Sequence, residues 1–204
     1  MIKTLFNLGV IAMLTVITSL AQAGELVEVQ KLDPTIRKEI RYATANNLMG
    51  EVLYEDDRCF LLPEVAERLV KAHKELQKEG LGIKVYDCYR PLAVQKKMFK
   101  KFPQPGYVAD PAKGSNHNRG AAIDCTIVDA DGKELEMPSD YDEFTERAHL
   151  KYDKAPAHQK ANRAKLQTVM LAQGFTPISM EWWHFDAPNA KSYPVLDIPI
   201  QDLP

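Results

Sequence analysis

Gly114-Ser115-Asn116-His117-Asn118-Arg119-Gly120-Ala121-Ala122-Ile123-Asp124-Cys125-Thr126-Ile127-Val128 changes character halfway along. Up to Gly120 it completes a run that holds Pro103, Pro105, Gly106, Pro111 and Gly114 and has no periodicity, the mark of a long loop. From Ala121 to Val128 it reads as a strand, and that strand carries Asp124. Neighbours on a strand point to opposite faces, so if Asp124 turns towards a site, Cys125 turns into the core as a buried structural thiol. Long loops inside compact domains tend to be functional, and this one runs directly into the strand.

Upstream, Val65, Leu69, Ala72 and Leu76 are spaced for one helical face. Pro63 suits the first turn of that helix and Gly80 the position just past its end. His73, among Lys71, Lys74 and Glu75, is expected to be a solvated or half-buried structural residue and not a ligand. Ile83 to Tyr89 alternates as a strand, which Arg90-Pro91 ends because a residue before proline is pushed to extended geometry. Pro91 then opens a second helix through Val94, Met98 and Phe99. Arg90 therefore stands at a strand-to-helix corner, where side chains often face a cleft, although a surface ion pair is the commoner fate of such an arginine.

Downstream, Asp129 to Gly132 has turn chemistry, and Glu134 to Leu150 is acidic and irregular. A helix is expected over Ala157 to Gln173, with Leu166, Val169 and Met170 inward and Gly174 stopping it. Phe175-Thr176-Pro177 and a strand through Glu181 to Phe185 follow. Residues 25–57 show only a weak pattern, an entry segment with a short strand that could cover a site. The strands alternate with helices and loops without a βαβ rhythm. The expected fold is α+β, a single domain over residues 24–204, with an antiparallel or mixed central sheet and flanking helices.

The 204 residues are 45% hydrophobic and 26% charged, enough for one core and a buried site. With a formal net charge of −2 and no cluster of Lys or Arg, nucleic acid is excluded as a partner. Lys3, the apolar run Leu8 to Leu20 and Ala21-Gln22-Ala23 read as a cleavable secretory leader, residues 1–23. The run is short for a spanning helix, so an exported periplasmic or secreted protein is expected, with no stable membrane insertion after cleavage. Export permits disulfides, and of the three cysteines Cys59 and Cys88 flank the first helix and are the favoured pair.

His117 and Asp124 lie seven positions apart, and Glu181-Trp182-Trp183-His184 adds a second histidine with a carboxylate three residues before it. Two imidazoles and one carboxylate form a three-ligand zinc set that keeps a position open for water. Glu181 beside the last ligand is placed to act as general base. Glu181 and His184 would share a face on a helix. Trp182-Trp183 instead favours a strand, where positions three apart diverge, so a bulge or a rim position for Glu181 is needed.

Tyr86-Asp87-x-Tyr89-Arg90-Pro91, Ser115-x-His117-x-x-Gly120-x-Ala122-x-Asp124 and Glu181-x-Trp183-His184, in this order, resemble the zinc D-alanyl-D-alanine dipeptidases, the VanX-like family. Glu146-Arg147 and Asn162-Arg163 extend the likeness, which runs from about residue 25 to the C-terminus. The resemblance implies one zinc ion per chain held by His117, Asp124 and His184, Glu181 as base, and Arg90 polarising the scissile carbonyl. It further implies that Asp142 anchors the ammonium of a small dipeptide substrate, with Asp140 close enough to compete for that role, and that Ser115 lines the pocket. Cys125 stands where the family is expected to carry an aliphatic residue. Two rival readings stay open: a carboxypeptidase trimming muropeptides, and a non-catalytic zinc-binding module for peptidoglycan or a partner. Nothing in the chain specifies an oligomeric state.

Overall fold

A computed structural model describes residues 26–103 and 107–204. The expected leader, the start at Gly24 and the loop positions 104–106 lie outside the described residues. The described residues open with β1 (Val27–Glu28), a single helical turn α1 (Val29–Leu32) and β2 (Arg37–Lys38). It continues through β3 (Phe60–Leu61), α2 (Pro63–Gln77), β4 (Gly82–Asp87) and α3 (Leu92–Lys101). β5 (Ala122–Val128), α4 (Ala157–Ala172), β6 (Thr176–Ile178) and β7 (Glu181–Asp186) complete it.

Five strands form one mixed sheet in the order β2-β4-β5-β7-β6. β2 runs parallel to β4, and the other pairings are antiparallel. β1 and β3 make a separate antiparallel pair. The fold is the expected α+β class, with a mixed sheet. The entry segment supplies two short strands where one was expected, and the second becomes the parallel edge of the sheet.

Apolar spacing explains the helix positions. α2 starts at Pro63 and buries Val65, Leu69, Ala72 and Leu76 against β4 and α4. Gly80, past its end, has φ +72°, a conformation that glycine takes without strain. β5 lies centrally and every one of its residues is buried. Cys125 on it is buried and unpaired, as strand alternation required.

Cys59 and Cys88 form the expected disulfide, which ties the start of β3 to the residue just after β4. A bridge of that span stabilises by about 3–4 kcal/mol in the chain-entropy treatment. His73 departs from expectation. It is structural, but it is buried, at 2% exposure, rather than solvated or half-buried. The Ile83 N–H donates to its Nδ1 at 2.9 Å, and its Nε2 meets Thr35 Oγ1 at 2.9 Å.

Two ladder irregularities shape the region around β5. On β4 the register steps from Val85 opposite Cys125 to Asp87 opposite Asp124, so Tyr86 is extra. Between β6 and β7 it steps from Pro177 opposite Phe185 to Ile178 opposite Glu181. β7 therefore bulges over Trp182 to His184, the distortion that a strand-borne Glu181–His184 pair demanded.

Candidate metal centre

Asp124 on β5 pairs directly with His184 on β7, so one antiparallel ladder presents both side chains. His117 comes from the turn ahead of β5, a 3-10 segment His117–Arg119 closed by the Gly120 N–H on the His117 carbonyl at 3.1 Å. Gly120 has φ +63°, and a Cβ there would lie 2.5 Å from Leu26 Cδ2 and 3.3 Å from the Leu62 nitrogen. Only glycine lets the loop turn this tightly against β3 and deliver His117 beside the strand.

Three ligand atoms converge. His117 Nε2 lies 3.1 Å from His184 Nδ1. Asp124 Oδ1 lies 3.3 Å from the first and 3.0 Å from the second. A tetrahedral ion with bonds of about 2.0–2.1 Å has ligand-to-ligand edges of about 3.3 Å, so the triangle has the size of one face of such a site. His117 Nδ1 donates to the Cys88 carbonyl at 2.7 Å, and His184 Nε2 donates to Asp186 Oδ1 at 2.9 Å. Those bonds fix both tautomers, so the two facing nitrogens present lone pairs to each other and to a carboxylate oxygen. Three electron-rich atoms this close repel unless a cation stands among them. The donor set therefore fits a metal ion.

Electrostatics agree. Burial pushes Asp124 up, yet the imidazoles of His117 and His184 hold it well below the usual carboxylate range. Burial disfavours charge on His184, but Asp124 and Asp186 push it well above an ordinary histidine. Tyr141 donates its hydroxyl to Asp124 Oδ2 at 3.0 Å, which leaves Oδ1 turned to the imidazoles.

Glu181 Oε2 lies 3.8 Å from His184 Nδ1. Burial, with Asp124 and Asp142 nearby, pushes Glu181 up to about 8 despite the opposing pull of His184. Arg90 is not the surface ion pair that is the common outcome at such a corner. It is buried, with Nε and Nη2 on Asp87 Oδ2 at 3.0 and 2.6 Å and Nη1 on Gln95 Oε1 at 2.9 Å. Its guanidinium lies 5.1 Å from the Tyr42 ring centroid. Those bonds use three of the five N–H groups of a guanidinium, and Arg90 lines the cavity.

That cavity, of about 280 Å³, is also lined by Ser115, His117, Asp124, Glu181 and His184. Ser115 Oγ accepts from the His117 N–H at 3.2 Å. Asp142 lines the cavity; Asp140 is exposed and borders a different one. Asp142 adopts φ +59° and accepts from the Tyr42 hydroxyl at 3.0 Å and the Leu48 N–H at 3.3 Å. Burial, then the Asp124 charge, push it up to about 7.

Sequence reasoning gave no role to Asp87, Gln95, Tyr141, Tyr42 or Asp186. Asp186 had a signal: two positions beyond His184 on one strand, it shares that face. Asp87 lay inside a quoted motif, three residues before Arg90. Gln95 meets Arg90 from five residues on, in the first turns of α3, whereas Tyr42 and Tyr141 reach the site through long-range packing that local pattern does not encode.

An α+β scaffold that brings two histidines and an aspartate close enough to share one metal ion, with a further carboxylate and an arginine facing the same small cavity, fits a hydrolase of the metallopeptidase class. The chain belongs to the D-Ala-D-Ala dipeptidase family, whose description matches residues 22–202. It is 39% identical to the D-alanyl-D-alanine dipeptidase of Escherichia coli (strain K12), over 87% of this chain and 92% of that protein. The Enterococcus faecium D-alanyl-D-alanine dipeptidase is 32% identical, over 81% of this chain and 93% of its own length. That of Enterococcus faecalis (strain ATCC 700802 / V583) is 29% identical, over 78% and 90% respectively.

Proposed function

We propose that the chain is an exported zinc dipeptidase that hydrolyses free D-alanyl-D-alanine or a closely related dipeptide, with one ion per chain. The observation that carries this reading is the convergence of His117 Nε2, Asp124 Oδ1 and His184 Nδ1 within 3.3 Å of one another, lone pairs inward, beside Glu181. Imidazole and carboxylate donors in a tetrahedral-sized triangle suit zinc. When bound, the ion supplies a Lewis acid that acidifies a water and polarises a carbonyl.

The chain's own groups do the rest. Glu181 takes the proton of the attacking water and later delivers it to the leaving amine. Its burial keeps it a strong enough base for the first step and an adequate acid for the second. Arg90, rigid on Asp87 and Gln95, directs its remaining N–H groups at the oxygen where negative charge grows. Losing such a donor costs other hydrolases ~100- to 1,000-fold in rate. Asp142 receives the substrate ammonium, because a carboxylate this buried stays charged at little cost only beside a cation. Ser115 shapes the cavity wall. The apolar run before Ala21-Gln22-Ala23 supports export, and the Cys59–Cys88 bridge suits an oxidising compartment.

Hydrolysis of free and of N-acetylated D-alanyl-D-alanine, each with and without a chelator, tests the reading. The free dipeptide should be cleaved, its N-acetyl form poorly, and chelation should stop turnover until zinc is restored. Equal cleavage of both substrates would remove Asp142 from its role and move the chain to the carboxypeptidases. Turnover indifferent to chelation would remove the metal.

A further inference from the structure

A free dipeptide is a zwitterion: ammonium at one end, carboxylate at the other, the scissile bond between. The Asp142 wall answers the ammonium and the metal cluster answers the middle. The carboxylate end still needs a partner. Two cations line the cavity, Arg90 and Lys191. Arg90 is committed to Asp87 through two hydrogen bonds, which neutralise it locally. Lys191 is exposed and, among the described residues, makes no hydrogen bond or ion pair.

The backbone under Lys191 is well anchored. It sits in the 3-10 turn Ala190–Ser192, five residues beyond the strand that carries His184. The Ala187 N–H bonds the Ala121 carbonyl at 2.9 Å, continuing the β5–β7 ladder, and the Ala190 N–H bonds the Ala187 carbonyl at 3.2 Å. The Ser192 N–H and hydroxyl both donate to the Asn189 carbonyl at 2.8 Å, and Asn189 takes a left-handed φ of +56°. Asn116, Asp186 and Lys191 line both the cavity and the shallow groove beside it, so Lys191 stands on the shared rim. Tyr42, Leu48 and Asp142 border the cavity and not the groove. The other charge near Lys191 on that rim, Asp186, is engaged by His184.

We propose that Lys191 receives the C-terminal carboxylate of the substrate, so that the two ends of the dipeptide are read by opposite charges. This deepens the proposed function and rests on it. A peptide extended at its C-terminus loses the contact, as one acylated at its N-terminus loses Asp142. The pair of charges selects for length two.

The test compares the wild type, Lys191→Met and Lys191→Arg, zinc-loaded, on D-alanyl-D-alanine and on its C-terminal amide. Hydrogen bonds between charged groups suggest that Lys191→Met raises KM for the acid roughly tenfold at nearly constant kcat. The amide should be handled alike by wild type and Lys191→Met, and Lys191→Arg should restore most of the loss. Calorimetric binding of acid and amide in a Glu181→Ala background gives the same comparison without turnover, so it holds even if the catalytic reading fails. A wild type that binds the amide as tightly as the acid overturns the inference, as does a Lys191→Met variant that weakens both equally. If no dipeptide is turned over but acid is still preferred to amide only when Lys191 is present, the catalytic reading falls and this one stands.

Discussion

Two regions of the molecule bury a histidine, and they do so to opposite ends. His73, on α2, is 2% exposed, and His184, on β7, is 7% exposed. Both rings have partners on both nitrogens. Around His73 the ring partners are neutral, a backbone N–H and a threonine hydroxyl. Around His184 they include two carboxylates, Asp124 and Asp186. Burial pushes His73 down, with Asp33 opposing and Lys74 assisting, while the carboxylates push His184 up in spite of burial. Burial alone does not suit a histidine to hold a metal. The sign of the neighbouring charge does, together with a lone pair aimed at other lone pairs.

The largest test of that contrast separates holding a cation from moving a proton. Glu181 touches the cluster but is not needed to complete the triangle. Glu181→Ala should keep bound zinc near one equivalent and lose ~100- to 10,000-fold in kcat, the usual weight of a general base. Metal analysis and steady-state kinetics on the same preparation check it. A variant that retained wild-type turnover would remove Glu181 from the mechanism, and one that lost its zinc would make it part of the cluster.

A smaller effect is expected at Asp186, one of the two carboxylates that distinguish His184 from His73. It orients the imidazole and fixes its tautomer. Partners of this kind typically contribute 10- to 100-fold in metal affinity. Asp186→Ala should weaken zinc by about that factor in a chelator competition, and Asp186→Asn, which still accepts through its amide oxygen, should weaken it less. Unchanged affinity in the alanine variant would show that Asp124 alone sets the character of His184.

How much of this was legible depends on how local the cause is. Asp124 facing the site and Cys125 facing the core followed from strand alternation, and α2 followed from Pro63, Gly80 and the four apolar positions between them. The convergence of His117, Asp124 and His184 was anticipated from the residue types as a possible ligand set, and the family resemblance implied the same three. The β7 bulge was deduced as a requirement, but its position is a property of the β6–β7 register, which no single segment encodes. Arg90 was the hardest to place. Its burial depends on Asp87 and Gln95, and Asp87 is held in turn by Tyr54 from the weakly patterned entry segment. The same segment hid β2, because two residues paired to β4 leave no periodic trace. Asp142, and not Asp140, lines the cavity; it is held there by two donors from that segment, a non-local cause.

The smallest expected effect lies at His73 and concerns folding, not catalysis. Its Nδ1 accepts the Ile83 N–H, so a second ring proton would have to displace a buried backbone donor. Its pKa is therefore lower in the folded chain than the unfolded value of about 6.5. The unfolded state then binds the proton more readily. The stability from neutral His73 is complete above the unfolded pKa and is lost as pH falls through the lowered folded value. Urea midpoints for wild type should decline between pH 7.5 and 5.5, while His73→Phe, which cannot titrate, should lose this part of the decline. At pH 7.5 the phenylalanine variant should be the less stable by about 1–3 kcal/mol, because the Ile83 N–H is left buried without an acceptor. Parallel pH profiles for the two proteins would mean that His73 does not titrate across folding, and the contrast with His184 would then rest on ligand geometry alone.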